Sequence, residues 1–365
     1  MPKKPELNTE YFLPNEEEVA QELAEFLRWT ISDKLYLSGQ TDRDVHAKGI
    51  AVVKAELKVE ENLPEAYRFG VFAEPKSYPV WVRYSSTFQT PRDDSTPDIR
   101  GMALKLMNIP GEKLLPQEKD ATTQDFLFLS TNVFLTRTAT QFLDFEKAFF
   151  KGTLPFLWFG LTNPKVTIGL LKASKRYASL LEIPFFSATP YMLGPRAVKY
   201  KLQPHVTGRS QIPQDPGPNY LRENIDRTLK QEEMFFDFMI QFQKDPVKQP
   251  IEDALVPWSE EISPFHKVAT LRLIRQNIDT AERRIFEQNL SMNPWHCLPE
   301  HRPIGNVNRA RKIVYFFISQ YRHERNCAPQ VEPTAGPDFF HEPLVGLTEA
   351  GRKEDFRGEP VASDL

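Results

Sequence analysis

The sequence has only two cysteines, Cys297 and Cys327, which rules out a disulfide scaffold and leaves too few thiols for a zinc or iron–sulfur site. It has no excess of charge of either sign. The formal net charge is −3, so there is no electrostatic case for a nucleic-acid partner. It has no apolar run near the roughly 20 residues that a membrane helix needs. The longest candidate, Leu154 to Leu161, is too short to span. The opening residues, MPKKPELNTE, lack the apolar stretch of a signal peptide. No internal repeat and no clear linker divide the chain. These absences leave a soluble protein of a reducing, cytoplasmic compartment as the expectation.

What is present is a chain of 365 residues, 40% hydrophobic, with 27 phenylalanines, enough for a sizeable core or a large apolar pocket. Residues 15–35 carry acids in the first turn and apolar residues at helical spacing (Val19, Leu23, Phe26, Leu27, Ile31), with Asn15 as N-cap. Residues 45–60 alternate as a strand does. Further strands are expected at 77–85, 100–106, 126–135, 191–202 and 271–274. Helices are expected at 138–151, 219–244, 279–290 and 308–324. Strands followed by helices suggest the α+β class, an antiparallel β-barrel with helices packed around it. The expected organisation is one domain over 1–327, with its barrel at about 45–205 and a helical part at about 219–327. Beyond it, residues 328–365 turn Pro-, Gly- and acid-rich and suggest an extended arm.

Two distant segments carry chemistry. In Arg43-Asp44-Val45-His46-Ala47-Lys48-Gly49 a histidine precedes a strand. In Arg309-Ala310-Arg311-Lys312-Ile313-Val314-Tyr315, Arg311 lies one helical turn before Tyr315. A guanidinium at i−4 can hold a tyrosine as phenolate, one of the few protein ligands of ferric haem. Each motif alone is more often structural: a strand histidine, a packed tyrosine beside a surface charge. His296, Cys297 and His301 also cluster, but no ligand spacing there fits a known metal site.

Together with Val82-Arg83-Tyr84-Ser85, Arg100-Gly101-Met102-Ala103-Leu104-Lys105, Val198-Lys199-Tyr200 and the run HRPIGNVNRARKIVY at 301–315, these segments resemble the catalase superfamily. They look most like its short haem proteins, the fatty-acid peroxidases, allene oxide synthases and hydroperoxide lyases. The resemblance implies haem b between the barrel and a proximal helix, with Tyr315 as the metal ligand and Arg311 on its phenolate. It implies His46 as the distal proton carrier, with Ser85 fixing its tautomer. Arg43, Arg83 and Arg322 would pair with the propionates, and Phe142 would stack on the porphyrin. A homo-oligomer is also implied, and the arm could reach a neighbouring copy.

The pattern breaks on the distal strand. Full catalases place Gly-Asn-Asn-Thr-Pro there, and the first Asn orients peroxide. Here Leu129 takes that position, with Ser130 and Asn132 as nearby polar candidates. An apolar residue favours an organic or fatty-acyl hydroperoxide over hydrogen peroxide. Val45 is shared with catalases, whereas the allene oxide synthases have Thr there. The expectation is therefore a haem enzyme acting on such hydroperoxides as peroxidase, peroxygenase or lyase/isomerase. A small catalase and a non-catalytic haem-binding protein are the alternatives.

Overall fold

The structure is a computed structural model describing residues 4–35, 43–328, 330 and 332–341. Its strands are β1 (Gly49–Val59), β2 (Ser77–Ser86), β3 (Arg100–Met107), β4 (Thr123–Leu129), β5 (Phe185–Phe186), β6 (Tyr191–Leu193), β7 (Arg196–Pro204), β8 (Met234–Phe242) and β9 (His266–Leu273). All pair antiparallel, in the order β5-β4-β3-β2-β1-β9-β8-β7-β6. Phe185 and Phe186 also pair with Leu202 and Lys201 of β7, which closes the sheet into an eight-stranded barrel.

The barrel has two chemically distinct faces, because successive side chains on a strand point to opposite sides. Val80, Val82 and Tyr84 of β2, Met102, Leu104 and Leu106 of β3, and Phe126 and Phe128 of β4 fill the interior with Phe236, Phe238 and Ile240 of β8. The intervening residues point outward. Ser85 pairs with Gly101, and Gly101 with Leu129, so one outward row crosses three strands. The next row is Arg83, Ala103 and Leu127. Glycine and alanine at the centre of these rows leave room on the outer surface.

Seven α-helices are found among the described residues: α1 (Glu16–Leu35), α2 (Ala139–Phe150), α3 (Thr153–Thr162), α4 (Pro164–Ala173), α5 (Tyr220–Gln231), α6 (Ala281–Asn289) and α7 (Asn306–Arg325). Leu23, Ala24 and Leu27 of α1 bury against Val314 of α7 and Leu143 of α2. Each such aliphatic side chain contributes about 1.5–3 kcal/mol. That packing fixes α7 beside the barrel. Arg309 adds a second restraint, bridging Glu10 (2.6 Å), Glu16 (2.7 Å) and Glu252 (2.9 Å). No helix among the described residues is long and apolar enough to cross a membrane.

Several expectations are corrected. The helix expected over 219–244 is α5 followed by β8, whose Met234, Phe236, Phe238, Ile240 and Phe242 are buried at period two. The barrel therefore extends to Leu273 rather than ending near 205. The strand expected over 191–202 is the β6–β7 hairpin, turning at Gly194 with φ 56°. The strand expected over 126–135 stops at Leu129, and α3 and α4 were not anticipated. Asn15 has φ 60°, not the extended backbone of an N-cap, and its carbonyl accepts Val19 N–H (3.0 Å). The described part of the arm returns to its own barrel: Glu332 meets Lys105 (2.8 Å), and the Phe339 ring lies 5.3 Å from that of Trp81. Residues 342–365 of the expected arm lie outside the described residues.

Candidate functional site

His46 sits where the chain turns into β1. Its φ of 61° is a left-handed conformation rare for a side-chain-bearing residue. His46 N–H donates to the Thr87 carbonyl and Ala47 N–H to the Phe88 carbonyl, both at 3.4 Å, pinning this turn to the end of β2. The imidazole lies directly on Gly101, where a Cβ would come within 2.6 Å of His46 Cε1 and 2.8 Å of Ser85 Oγ. Only glycine fits beneath this ring. Nδ1 is 2.9 Å from Ser85 Oγ, and among the described residues nothing meets Nε2. The ring lies deep among protein atoms, while the residue as a whole is partly exposed. Burial first, then the guanidiniums of Arg83, Arg311 and Arg43, push its pKa down to about 3. At neutral pH the imidazole is an uncharged base.

The opposite wall is α7. Arg311 donates from Nη2 to the Tyr315 hydroxyl (3.1 Å) and from Nη1 to Asn308 Oδ1 (3.0 Å). Asn308 is held in turn by the Pro190 carbonyl (2.8 Å) and Thr189 Oγ1 (3.0 Å). The Arg311 Nε is buried with no hydrogen-bond partner. Arg311 lies near enough for its charge to lower the His46 pKa, so the two segments are neighbours in the fold. The i−4 spacing read in the sequence is realised as a direct bond.

Arg43, Arg83 and Arg322 converge on the C-terminal end of α6. Arg43 reaches the carbonyls of Glu287 (2.9 Å) and Leu290 (2.5 Å), and Arg322 that of Gln288 (2.5 Å). Arg83 donates from Nε to Glu287 Oε1 (2.7 Å) and from Nη2 to the His46 carbonyl (3.0 Å). Glu287 was not anticipated. Though burial opposes it, Arg83 and Arg43 hold its carboxyl below the usual range. A Cβ at Gly49 would lie 1.9 Å from Glu287 Oε1, so the final glycine of the histidine motif makes room for this carboxylate. A single glutamate far along the chain gives no sequence signal of that kind.

The remaining candidates are distributed as follows. Phe142 on α2 is partly buried, with its ring 5.8 Å from Phe134 and 6.3 Å from Phe145. Leu129 is in the outward row with Gly101 and Ser85, on the face that carries His46. Ser130 turns to Arg100 N–H (2.9 Å) and Tyr177 (3.1 Å). Asn132 lines a separate cavity with Lys199 and Trp258. Neither polar candidate takes the place of the distal asparagine. His296 and His301 are engaged elsewhere, and no group of residues able to hold a metal ion is found among the described residues.

These residues fit a haem. The donor set is a tyrosine oxygen supported by a guanidinium, a ferric-haem arrangement. Arg311 has an orphaned buried nitrogen, and Gly101 and Ala103 clear the outer surface beside His46; Arg43, Arg83 and Arg322 gather at one edge but are engaged by Glu287 and the carbonyls that end α6.

No protein-family model matches the sequence, and no curated protein does either. Solved structures do match. A fungal catalase superposes with TM-score 0.63 at 17% identity, covering 99% of this chain and 77% of that one. A bacterial catalase gives TM-score 0.59 at 15% identity, covering 97% and 69%. The chain has the catalase fold. At this identity the likeness speaks for architecture: the antiparallel barrel and the helices around it.

Proposed function

We propose that this catalase-fold protein is a haem-dependent enzyme acting on organic or fatty-acyl hydroperoxides. The observation that carries the reading is two hydrogen-bonded pairs on neighbouring elements. His46 has Nδ1 held by Ser85 and Nε2 open, and Tyr315 is bonded to Arg311. Bound with Tyr315 as its ligand, haem b supplies the Lewis acidity and the electrons for O–O cleavage.

The protein's own residues do the rest. Arg311 stabilises the phenolate that ligates. Ser85 keeps His46 in one tautomer, so Nε2 presents a lone pair to the substrate. His46 takes the proton from the near oxygen of the hydroperoxide and returns it to the leaving oxygen. Its depressed pKa keeps it ready to accept. Arg43, Arg83 and Arg322 would pair with the propionates on giving up their bonds to Glu287 and the α6 carbonyls, and Phe142 would pack on the porphyrin side. Leu129 supports the choice of substrate. Without an asparagine on that row, a second hydrogen peroxide has no partner to orient it as reductant, whereas an apolar chain is accommodated.

The test combines a spectrum and two substrates. Reconstituted with haem, the protein should show a high-spin ferric tyrosinate spectrum that Tyr315→Phe abolishes. It should turn over a fatty-acyl hydroperoxide faster than hydrogen peroxide. Vigorous oxygen evolution from hydrogen peroxide would make it a small catalase. Haem binding without turnover of either peroxide would make it a haem-binding protein. No Soret band would end the reading.

A further inference from the structure

The α3–α4 hairpin exposes an apolar surface that the fold does not use. Leu154 is 80% exposed, Trp158 69%, Leu161 75% and Leu171 72%, with Leu157 and Ile168 also exposed. On α3 the positions 154, 157, 158 and 161 fall at i, i+3, i+4 and i+7, one continuous stripe. On α4, Ile168 lies between Lys165 and Lys172 at the same spacing. Scattered exposed leucines need no explanation, but six large apolar side chains on two consecutive helices do.

The charge along this segment is of one sign. From Lys147 to Leu181 the sequence contains no aspartate or glutamate, while Lys151, Lys165, Lys172, Lys175 and Arg176 frame the hairpin. The whole chain carries −3, so this basic surround is local. Each helix has 10 residues, roughly 15 Å, half of what a span requires. Such helices can lie in a bilayer interface, with apolar side chains among the acyl chains, tryptophan at the boundary and lysines on anionic headgroups.

We propose that the α3–α4 hairpin is a docking surface for an anionic lipid bilayer. A second copy of the chain is the poorer occupant, because face-to-face packing sets Lys151, Lys165 and Lys172 against their own images. The hairpin is joined to the proposed active site through α2, whose Phe145 ring is 5.7 Å from both Phe156 and Phe159 of α3. Delivery of a membrane-borne acyl hydroperoxide along this path rests on the proposed function; the docking itself does not.

The experiment is flotation of the full chain with vesicles of phosphatidylcholine containing about a third phosphatidylserine, beside pure phosphatidylcholine. Binding to the anionic vesicles, weakened by salt, is expected. Trp158→Ser with Leu161→Ser should reduce it at least about tenfold, and Lys165→Ala and Lys172→Ala about fivefold each. All four side chains are exposed, so unchanged far-ultraviolet circular dichroism is expected throughout. No flotation of the wild type overturns the proposal, as does flotation that the variants leave intact. A wild-type oligomer that the serine variant dissociates, with no vesicle binding, assigns the patch to self-association and overturns it too. Haem spectra and peroxide turnover in detergent read the active site separately, so its failure is distinguishable from failure of docking.

Discussion

His46 and His301 are both histidines pushed down to about 3, and in both burial is the leading cause. His301 is packed into the barrel interior, edge-on to Phe72 (5.4 Å) and Phe126 (5.5 Å). Its Nε2 accepts Val71 N–H (3.0 Å) and its Nδ1 meets the Tyr200 hydroxyl (3.2 Å). Both nitrogens are occupied, so the ring is a structural strut. His46 lies on the outer face with one nitrogen bound and, among the described residues, no hydrogen bond to the other. A depressed pKa does not separate the two residues. Saturation of hydrogen bonding does: a satisfied buried histidine holds the fold, and a half-satisfied one is available to a substrate.

The largest effect that would break this contrast is on turnover. His46→Gln should lower hydroperoxide turnover by about 10²- to 10⁴-fold while changing unfolding free energy by less than about 1 kcal/mol. A loss of stability in place of activity would return His46 to the class of His301. The reciprocal variant, His301→Ala, should destabilise by about 3 kcal/mol or more, because it opens a cavity, strands Val71 N–H and removes one of the two partners of the Tyr200 hydroxyl. Turnover per folded molecule should stay within about twofold, measured beside denaturant unfolding.

Acid sharpens the contrast further. An unfolded histidine titrates near 6.5, and folded His301 near 3, so its stabilising contribution is complete above 6.5 and lost as pH falls toward 3. Between pH 7 and pH 5 that amounts to about 2 kcal/mol. Asp125, raised to about 6 chiefly by burial, works in the opposite direction over part of this range. The measurement is therefore the difference between wild type and His301→Ala at the two pH values, which should shrink by about that amount on acidification. The smallest effect belongs to Ser85→Ala. Loss of one hydrogen bond to Nδ1 should slow turnover roughly five- to tenfold without altering the haem spectrum. A Ser85→Thr variant that restores the rate would tie the effect to the hydroxyl.

The legible parts of the sequence were those with local signals. Residues 53–59 alternate apolar and polar side chains as a strand does, and the Arg311–Tyr315 spacing is one helical turn. β8 was illegible because MFFDFMIQF is apolar at seven of its nine positions, and a short apolar run satisfies either period. Glu287 was illegible for another reason. Its partners Arg83 and Gly49 are brought to it only by the docking of α6 on the outer face. Ser130 and Asn132 were candidates for one function, and the end of β4 sends them to two other places.

The pairing of β1 with β9 has a consequence for the order of events in synthesis. Ala55 to Val59 align with Leu273 to Ala269, so the barrel stays open until β9 has been made. Tyr315 emerges later still. At about 5–20 residues per second, the wall bearing His46 waits some tens of seconds for its counterpart. The proposed site is thus complete only once Tyr315 has been made, and any prosthetic group loaded there must enter after that. Until then the outward glycines and arginines face solvent, and chain closure, rather than local helix or hairpin formation, sets the pace.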